Sequence, residues 1–433
     1  MVASVCQVHF DGVPVGTLAY TDDTPYARFE YDPAWLAGGF SISPLQMPLT
    51  AEVFHFPAIP FDTFKGLPSV FSDSLPDDFG NALIDAWLAR SGQDRANFSA
   101  IDRLLYTGTR GMGALEYQNE INPFDNPKGD LQLVELVELA QRVLDDREEV
   151  EIQADETNAM QQLLLVGTSA GGARPKAVIA VNEDRTRILS GQVAAPKGFE
   201  HYLLKFDGIS ETHRDQQTFG DPKGYGLMEY AYYRMATDCG IDMMHSELLR
   251  ENGRAHFMTR RFDREQNQKY HTLTLCGMAH ADFKKPAHFS YEELLTVARQ
   301  LNLTTKEQIQ IFKRMVFNVV ARNQDDHTKN TAFFVDDDFQ WRLAPAYDIA
   351  FSYKPGSFWV EQHQMTINGK RDGFERGDLI AVAEQISGLS DHRANQYIDE
   401  VKAVVQGWCD VADEVGVFAA LRDRIHDSLR LYI

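Results

Sequence analysis

The sequence predicts an α+β protein built from two lobes, and three observations support this prediction. The chain has 433 residues, which exceeds the length at which one hydrophobic core usually keeps growing. Alternating apolar and polar runs typical of strands recur in its first part, whereas apolar residues at helical spacing prevail beyond residue 288. Strands and helices that occupy separate segments are typical of the α+β class.

The first third of the chain predicts a β-rich region followed by two helices. Residues 5–20 form two alternating runs joined at Asp11 and Gly12, a dipeptide that strongly indicates a hairpin between such runs. Residues 77–90 predict an amphipathic helix with acidic residues in its first turn, and residues 130–146 predict a second helix. We assign residues 1–118 to an N-terminal β-rich subdomain.

The middle of the chain, residues 119–264, predicts a lobe of its own. Residues 160–182 run from a helix end through a Gly-rich loop into a strand, and residues 185–191 and 201–208 predict further strands. A helix is expected over residues 224–240, where Gly240 ends it, and one more strand over residues 255–264.

Residues 265–433 predict a helical lobe. Helices are expected over residues 290–302, 305–321, 378–387 and 391–415, with a last one after them. Residues 331–347 interrupt this series with an apolar strand, an acidic turn and a second strand, which is the pattern of a hairpin.

Composition excludes several classes of protein. The net charge of -21 argues against a chain that grips nucleic acid alone, although it permits a basic protein partner. No apolar run approaches the length of a membrane span, and the N-terminus lacks the pattern of a signal peptide. The four scattered cysteines show no metal-ligand spacing and read as buried or free thiols. We therefore expect a cytoplasmic protein without a membrane partner.

Residues 322–330, RNQDDHTKN, form the most informative stretch of the sequence. A solvated turn is the simpler interpretation of such a polar cluster. However, Asp325 and Asn330 have the spacing D-x-x-x-x-N, which kinases use in a loop whose Asp accepts the substrate hydroxyl proton and whose Asn binds magnesium. The hairpin that follows would return Asp348 to the same loop as a second magnesium ligand. These features together predict phosphoryl transfer that depends on ATP and Mg²⁺.

The upstream half supplies candidates for phosphate binding. Gly167, Gly171 and Gly172 can expose backbone N–H groups to phosphate oxygens, although the loop lacks Walker A spacing. Lys205 lies within a strand, and Glu229 in the next helix could orient it as a helix glutamate does in kinases. This order of loop, lysine, glutamate, D-x-x-x-x-N motif, hairpin and aspartate predicts a protein-kinase-like fold.

Each of these features also has a simpler interpretation that stays open at this point. The Gly-rich loop can be a plain turn, Lys205 a solvated residue on an edge strand, and Glu229 a surface residue. His327 is either a catalytic residue or a structural loop histidine. The remaining acids of the loop and hairpin are interpreted as solvated turn residues, namely Asp326, Asp336, Asp337 and Asp338.

Five segments together resemble the HipA family of bacterial serine/threonine kinases, the toxins of toxin–antitoxin modules. These segments are GTSAGGARPKA, YLLKF, RRFDR, NQDDHTKN and LAPAYDI, and the resemblance covers nearly the whole chain. It implies that Asp325 is catalytic, and that Asn330 and Asp348 bind magnesium. We also place His327 and Asn330 among the candidate catalytic residues. Gln324 departs from the Thr or Ser more usual in the family.

The resemblance also implies a set of residues that bind ATP. Lys205 and Lys329 would contact the nucleotide, and the segment containing Arg260, Phe262 and Asp263 would hold adenine and ribose. The Gly-rich loop would contribute Ser169, Ala170, Gly171, Gly172 and Ala173. Ser169, with Thr168 as the alternative, would be the site of a silencing autophosphorylation.

Partners follow from the same resemblance. A HipB-like antitoxin with a helix-turn-helix fold is expected, and DNA would be contacted only through it. The substrate would be a translation component of the aminoacyl-tRNA synthetase class. Two alternatives remain, a catalytically weak kinase-fold protein that regulates transcription with an antitoxin and a small-molecule phosphotransferase.

Overall fold

The structure is a computed structural model, and it describes residues 4–90, 92–118, 130–145, 157–167, 174–209 and 224–433. The chain folds into two compact units. The first comprises Met1–Ile42, Met47–Gly226 and Ser246–His271, and the second comprises Ser43–Gln46, Leu227–His245 and Thr272–Ile433. The three-part division at residues 118 and 264 stays a prediction.

The first unit begins with a five-stranded antiparallel sheet. Its strands are β1 (Val5–Phe10), β2 (Val13–Thr21), β3 (Thr24–Tyr31), β4 (Phe54–His55) and β5 (Leu115–Gln118), in the order β4-β3-β2-β1-β5. The predicted hairpin at Asp11 and Gly12 is confirmed, because both residues have the positive φ that a tight turn of this type requires. The short helices between these strands are α1 (Pro33–Gly38), α2 (Phe61–Phe64) and α3 (Ser69–Ser72).

Four further helices belong to the first unit, and the first, third and fourth of them cover one face of a second sheet. They are α4 (Asp78–Arg90), α5 (Ala100–Thr107), α6 (Leu133–Asp145) and α7 (Thr157–Gly167). The sheet has the order β7-β6-β8-β10-β9, from β6 (Lys176–Asn182), β7 (Ile188–Ser190), β8 (Phe199–Lys205), β9 (Ser246–Glu251) and β10 (Arg254–Arg260). A small hairpin of β11 (Arg264–Glu265) and β12 (Gln268–Lys269) follows.

The alternating direction of the side chains along β6 explains how this sheet packs against its helices. Ala177, Ile179 and Val181 point to one face, where they join a buried apolar cluster that includes Leu83 of α4 and Leu163 of α7. Burial of each large side chain in such a cluster stabilises the fold by about 1.5–3 kcal/mol before entropy is counted. This packing fixes the strands that carry the predicted nucleotide-binding residues.

The second unit is mainly helical, as the sequence predicts. After α8 (Tyr225–Asp238) it contains α9 (Leu275–Ala279), α10 (Tyr291–Gln300), α11 (Thr305–Val320), α12 (Arg376–Ala383), α13 (Asp391–Gln406), α14 (Trp408–Val415) and α15 (Ala419–Ser428). A three-stranded sheet joins β13 (Thr272–Thr274), β14 (Ala332–Val335) and β15 (Trp341–Leu343). The predicted hairpin over residues 331–347 is therefore confirmed as β14 and β15.

The single helix predicted over residues 391–415 is wrong, because Gly407 divides it into α13 and α14. Glycine is a poor residue for a helix interior, and here the turn at Gly407 lets Trp408 become fully buried. Within the described residues, no helix combines the length and apolar character that crossing a membrane would require.

Candidate active site

The D-x-x-x-x-N motif lies on the loop between α11 and β14. Helix α11 starts at a capping box formed by Thr304 and Glu307 and ends at Val320, so the loop leaves a fixed helix end. Arg322 adopts a left-handed backbone conformation with φ of 59°, which turns the chain sharply at this point. A short 3-10 turn at Thr328–Asn330 then leads into β14.

Asp325 presents its carboxylate at the surface of this loop. Its side chain is 45% exposed, which leaves the carboxylate accessible to solvent. Nε2 of His327 lies 3.8 Å from Oδ1 of Asp325, and the His327 ring packs against Phe283 at a centroid distance of 5.6 Å. His327 therefore faces the carboxylate from a fixed position without a short hydrogen bond to it.

Asn330 has an orientation that suits a metal ligand. Its Nδ2 donates to the backbone carbonyl of Asp325 over 2.7 Å, so the amide nitrogen faces the loop. The Oδ1 atom is therefore the end of the amide directed away from this bond, and amide oxygens are suitable ligands for Mg²⁺.

Asp348 returns to the same loop, as the hairpin predicts. Asp348 and Asn330 line one pocket together with Asn323, His327 and Tyr347. The backbone of Asp348 is left-handed with φ of 53°, a conformation that costs a residue other than glycine about 1 kcal/mol or more. Such local strain is concentrated at functional sites. The role of Asp348 as a metal ligand stays a prediction.

The side-chain oxygens of Asn330 and Asp348 are of the kind that magnesium prefers. Among the described residues, no group of three or more His, Cys, Asp or Glu side chains is placed to hold a metal ion. Magnesium commonly binds through one or two carboxylates and takes its other ligands from substrate phosphates and water. Asn330 and Asp348 therefore suit an ion that arrives with a nucleotide.

The ammonium group of Lys329 lies over an aromatic ring. Its Nζ lies 4.9 Å from the centre of the Phe283 ring, while its backbone carbonyl accepts a hydrogen bond of 2.6 Å from the Tyr347 hydroxyl. The cation and the ring attract each other in this arrangement. A nucleotide contact by Lys329 stays a prediction.

Lys205 lies at the end of the central strand of the second sheet. Strand β8 pairs with β6 and β10, so Lys205 has neighbours on both sides, Lys176 and Phe257. The interpretation of Lys205 as an edge-strand residue is therefore wrong. Its neighbour Lys176 is buried and forms an ion pair with Asp77 over 3.6 Å. A phosphate contact by Lys205 stays a prediction.

The segment from Arg260 to Asp263 divides into an exposed and a buried part. Arg260 pairs with Glu200 over 3.1 Å at the surface, and Phe262 is half-buried. Asp263 has no exposed surface, and its carboxylate accepts hydrogen bonds from Arg261, from Arg264 and from the backbone of Gly113. This geometry favours a structural role for Asp263 over the predicted nucleotide contact.

The electrostatics of Asp263 agree with that role. Burial alone would raise its pKa, but the guanidinium groups of Arg261 and Arg264 lower the pKa of this carboxyl well below its usual range. Arg264 also donates to the carbonyls of Gly111 and Gly113. The charged cluster thus fastens the loop before β5 to the segment after β10.

The Gly-rich loop lies largely outside the described residues. Gly167 is described and ends α7, and Arg174 stacks on Tyr225 at 3.8 Å from the ring centre. Glu229 of α8 is buried at 2% exposure, so its interpretation as a surface residue is wrong. The predicted loop residues outside the described ranges are Thr168, Ser169, Ala170, Gly171, Gly172 and Ala173.

The structure also shows a residue that the sequence interpretation assigned wrongly. Asp326 is not a solvated turn acid, because its side chain is 1% exposed. Its carboxylate lies within hydrogen-bond distance of Tyr291, His363 and the backbone N–H of Gln364. Asp337 and Asp338 are exposed as predicted, and Asp336 is half-buried beside Arg342.

Comparison with known proteins identifies the family. The model of the HipA-like C-terminal domain matches residues 168–408, and the model of the HipA N-terminal domain matches residues 6–118. The first match covers more than half of the chain, and the chain therefore belongs to the HipA family. A search of curated protein sequences found no match.

A solved structure shares the fold over nearly the whole chain. The chain is similar to the HipA–HipB toxin–antitoxin complex with operator DNA from Shewanella oneidensis MR-1, with a TM-score of 0.65, 16% identity and coverage of 98% of this chain and 94% of the other. The Helicobacter pylori proinflammatory kinase CtkA gives a TM-score of 0.32 at 15% identity over 60% of this chain and 92% of its own. The predicted α+β, kinase-like fold is confirmed.

Proposed function

We propose that this chain is an ATP- and Mg²⁺-dependent serine/threonine protein kinase, the toxin of a toxin–antitoxin system. The observation that carries the proposal is the arrangement of one loop, where the exposed Asp325 lies next to a pocket lined by Asn330 and Asp348. Phosphoryl transfer requires little covalent chemistry from a protein and depends on positioning and on charge stabilisation. An accessible carboxylate and two side chains with oxygen atoms suited to Mg²⁺ would meet those requirements.

Each residue has a role that follows from its surroundings. Asp325 would orient the attacking hydroxyl and receive its proton, and His327, 3.8 Å away, would limit the directions in which the carboxylate can turn. Asn330 and Asp348 would hold magnesium, which when bound offsets negative charge on the phosphates. Lys205 would offset further phosphate charge.

Conversion of ATP to ADP by the purified chain, with Mg²⁺ and an excess of a serine-containing acceptor protein, tests this proposal. Asp325→Asn keeps the shape of the side chain but removes the base, so we expect turnover to fall by roughly 10²–10⁴-fold. Asp338→Asn is the matched control, because it removes one acidic charge from an exposed hairpin turn and should leave turnover unchanged.

The outcome also separates the alternatives. Wild-type protein that binds ATP without turning it over would favour a catalytically weak kinase-fold protein that acts through its partner. Turnover that rises with a metabolite as acceptor, but not with a protein, would favour a small-molecule phosphotransferase. Turnover that survives Asp325→Asn would contradict the assignment of Asp325.

We also propose that the chain phosphorylates its own Gly-rich loop, at Ser169 or at Thr168. A phosphate adds a charge of about -1.5 to -2, which would repel the phosphates of ATP from the loop. Peptide mapping by mass spectrometry after incubation with ATP would locate the phosphate. We expect Ser169→Ala to abolish it, and a phosphate that persists in Ser169→Ala but disappears in Thr168→Ala would move the site by one residue.

The partner is proposed to be a HipB-like antitoxin, as in the Shewanella complex of HipA, HipB and operator DNA. Because this chain has a net charge of -21, we expect it to contact DNA only through that partner. Mobility-shift measurements should show duplex DNA bound by the complex and not by the chain alone. The proposed substrate is a translation component of the aminoacyl-tRNA synthetase class, and phosphorylation of a purified synthetase panel would test this.

A further inference from the structure

A buried chain of three polar side chains starts at Asp326, in the loop that carries Asp325. Nδ1 of His363 lies 2.8 Å from Oδ2 of Asp326, and Nε2 of the same ring lies 3.0 Å from Nη1 of Arg430. The side chains of His363 and Arg430 have no exposed surface, and that of Asp326 is 1% exposed. We call these three residues the Asp326 relay.

The chemistry of the three groups fixes where the proton of His363 lies. A guanidinium group can only donate hydrogen bonds, so Nε2 of His363 must accept the bond from Arg430. An imidazole that accepts at Nε2 is neutral and carries its one proton at Nδ1. His363 therefore donates to Asp326, and the Asp326 carboxylate accepts this bond together with those from Tyr291 and Gln364.

Tyr291, the first residue of α10, supports the same assignment of the His363 proton. Burial and the negative charge of Asp326 raise the pKa of Tyr291 well above its usual value, so its hydroxyl keeps the proton that it donates to Asp326. Nδ2 of Asn318 donates to the same hydroxyl over 3.1 Å. The carboxylate of Asp326 is thus surrounded by donors with fixed positions.

The relay connects three segments of the second unit. Asp326 directly follows Asp325, whereas His363 and Gln364 belong to the segment that follows Asp348. Arg430 contacts Asp372, and its backbone N–H donates to the carbonyl of Val320 at the end of α11. The loop with Asp325 and the segment after Asp348 are therefore held by the same buried carboxylate.

We propose that the Asp326 relay is a positioning device that holds Asp325 in the orientation needed for phosphoryl transfer. This inference rests on the proposed kinase function, because it assigns the relay no chemistry of its own. Misplacement of a reacting group by 1 Å can lower a rate by about 10²-fold, and supporting residues behind a site commonly contribute 10- to 100-fold. Asp326, His363 and Arg430 act through Asp325 and are positioning residues.

Two substitutions of His363 separate positioning from stability. In His363→Asn the amide nitrogen can take the place of Nδ1 and donate to Asp326, whereas in His363→Gln the amide lies near the place of Nε2 and leaves Asp326 without that donor. Steady-state transfer of phosphate from ATP to an excess of a serine-containing acceptor protein, by the full chain with Mg²⁺, would give kcat and KM for each variant. The set is completed by three further variants, which are Asp326→Asn, Asp325→Asn and the exposed Asp338→Asn.

We expect kcat to fall roughly 10- to 100-fold in Asp326→Asn and His363→Gln, with KM for ATP changed less than about threefold. His363→Asn should recover most of kcat, and Asp338→Asn should match the wild type. A wild-type kcat in Asp326→Asn, or equal losses of kcat in both His363 variants, would overturn the relay. If the relay is overturned in one of these ways, an inactive Asp325→Asn would still leave the proposed kinase function intact. No turnover by the wild type would overturn both the relay and the kinase function.

The proton on His363 can also be observed without any activity. In ¹⁵N-labelled histidine spectra of the full chain, the relay requires a buried neutral ring with its proton on Nδ1. That signal should change in Arg430→Lys and in Asp326→Asn while the signals of other histidines stay in place. A ring protonated at Nε2 or at both nitrogens would overturn the relay even if the chain is a kinase.

Discussion

Replacing Asp263 by asparagine would leave the buried charges of Arg261 and Arg264 without their carboxylate. The carboxylate lies 2.6 Å from Arg261 and 2.8 Å from Arg264, and all three side chains are nearly or fully buried. Removal of one partner of a buried ion pair commonly costs 3–5 kcal/mol because the remaining charge is uncompensated. We therefore expect the Asp263→Asn chain to lose about 3 kcal/mol or more of unfolding free energy.

Urea titration followed by far-UV circular dichroism measures this loss. Glu200→Gln is the control, because it breaks the exposed pair between Glu200 and Arg260 and should cost less than about 1 kcal/mol. Equal losses for the two variants would refute the structural role of Asp263. A lower affinity for ATP at unchanged stability would instead support the nucleotide contact that the sequence predicts.

Three further predictions concern other parts of the molecule. Burial lowers the pKa of His271 to about 4, so the unfolded chain binds more protons than the folded chain between pH 6.5 and 4. Stability should therefore decrease as the pH is lowered through this range, by up to about 3 kcal/mol from this residue. Urea titrations should show a weaker pH dependence in His271→Gln, and an unchanged pH dependence would contradict this. Gly226→Ala would place a Cβ 1.9 Å from the Ala255 carbonyl oxygen and should lower the free energy of unfolding by about 1–3 kcal/mol. The Cβ of Gly377→Ala would meet no atom within 4 Å, so thermal unfolding should show this variant to be as stable as the wild type or slightly more stable. Asp348→Asn should raise the Mg²⁺ concentration needed for half-maximal ATP turnover, and an unchanged requirement would exclude it as a ligand.

The features that the sequence predicts well depend on local patterns. The hairpin at Asp11 and Gly12 follows from turn chemistry. The return of Asp348 to its loop follows from a short hairpin, in which an acidic turn joins an apolar strand to a second strand. The spacing of Asp325 and Asn330 is likewise contained within six residues. Such features need no knowledge of distant partners.

The features that were missed depend on residues far apart in sequence. Asp326 looks like a solvated acid because its partners, Tyr291 and His363, lie 35 residues before it and 37 residues after it. The place of Lys205 in a central strand becomes visible only once β6 and β10 are known to flank β8. Composition and periodicity report whether a strand or turn exists, whereas burial of a single polar group depends on which elements pack against it.

Intact mass spectrometry of the wild-type chain and of Asp325→Asn, each incubated with Mg²⁺ and ATP, tests the central claim most directly. We expect the wild type, and the exposed control Asp338→Asn, to gain the mass of at least one phosphate while Asp325→Asn gains none. A phosphate gained equally by Asp325→Asn would contradict the assignment of the catalytic loop. No gain in any of the three proteins, together with no transfer to a protein substrate, would contradict the kinase activity itself.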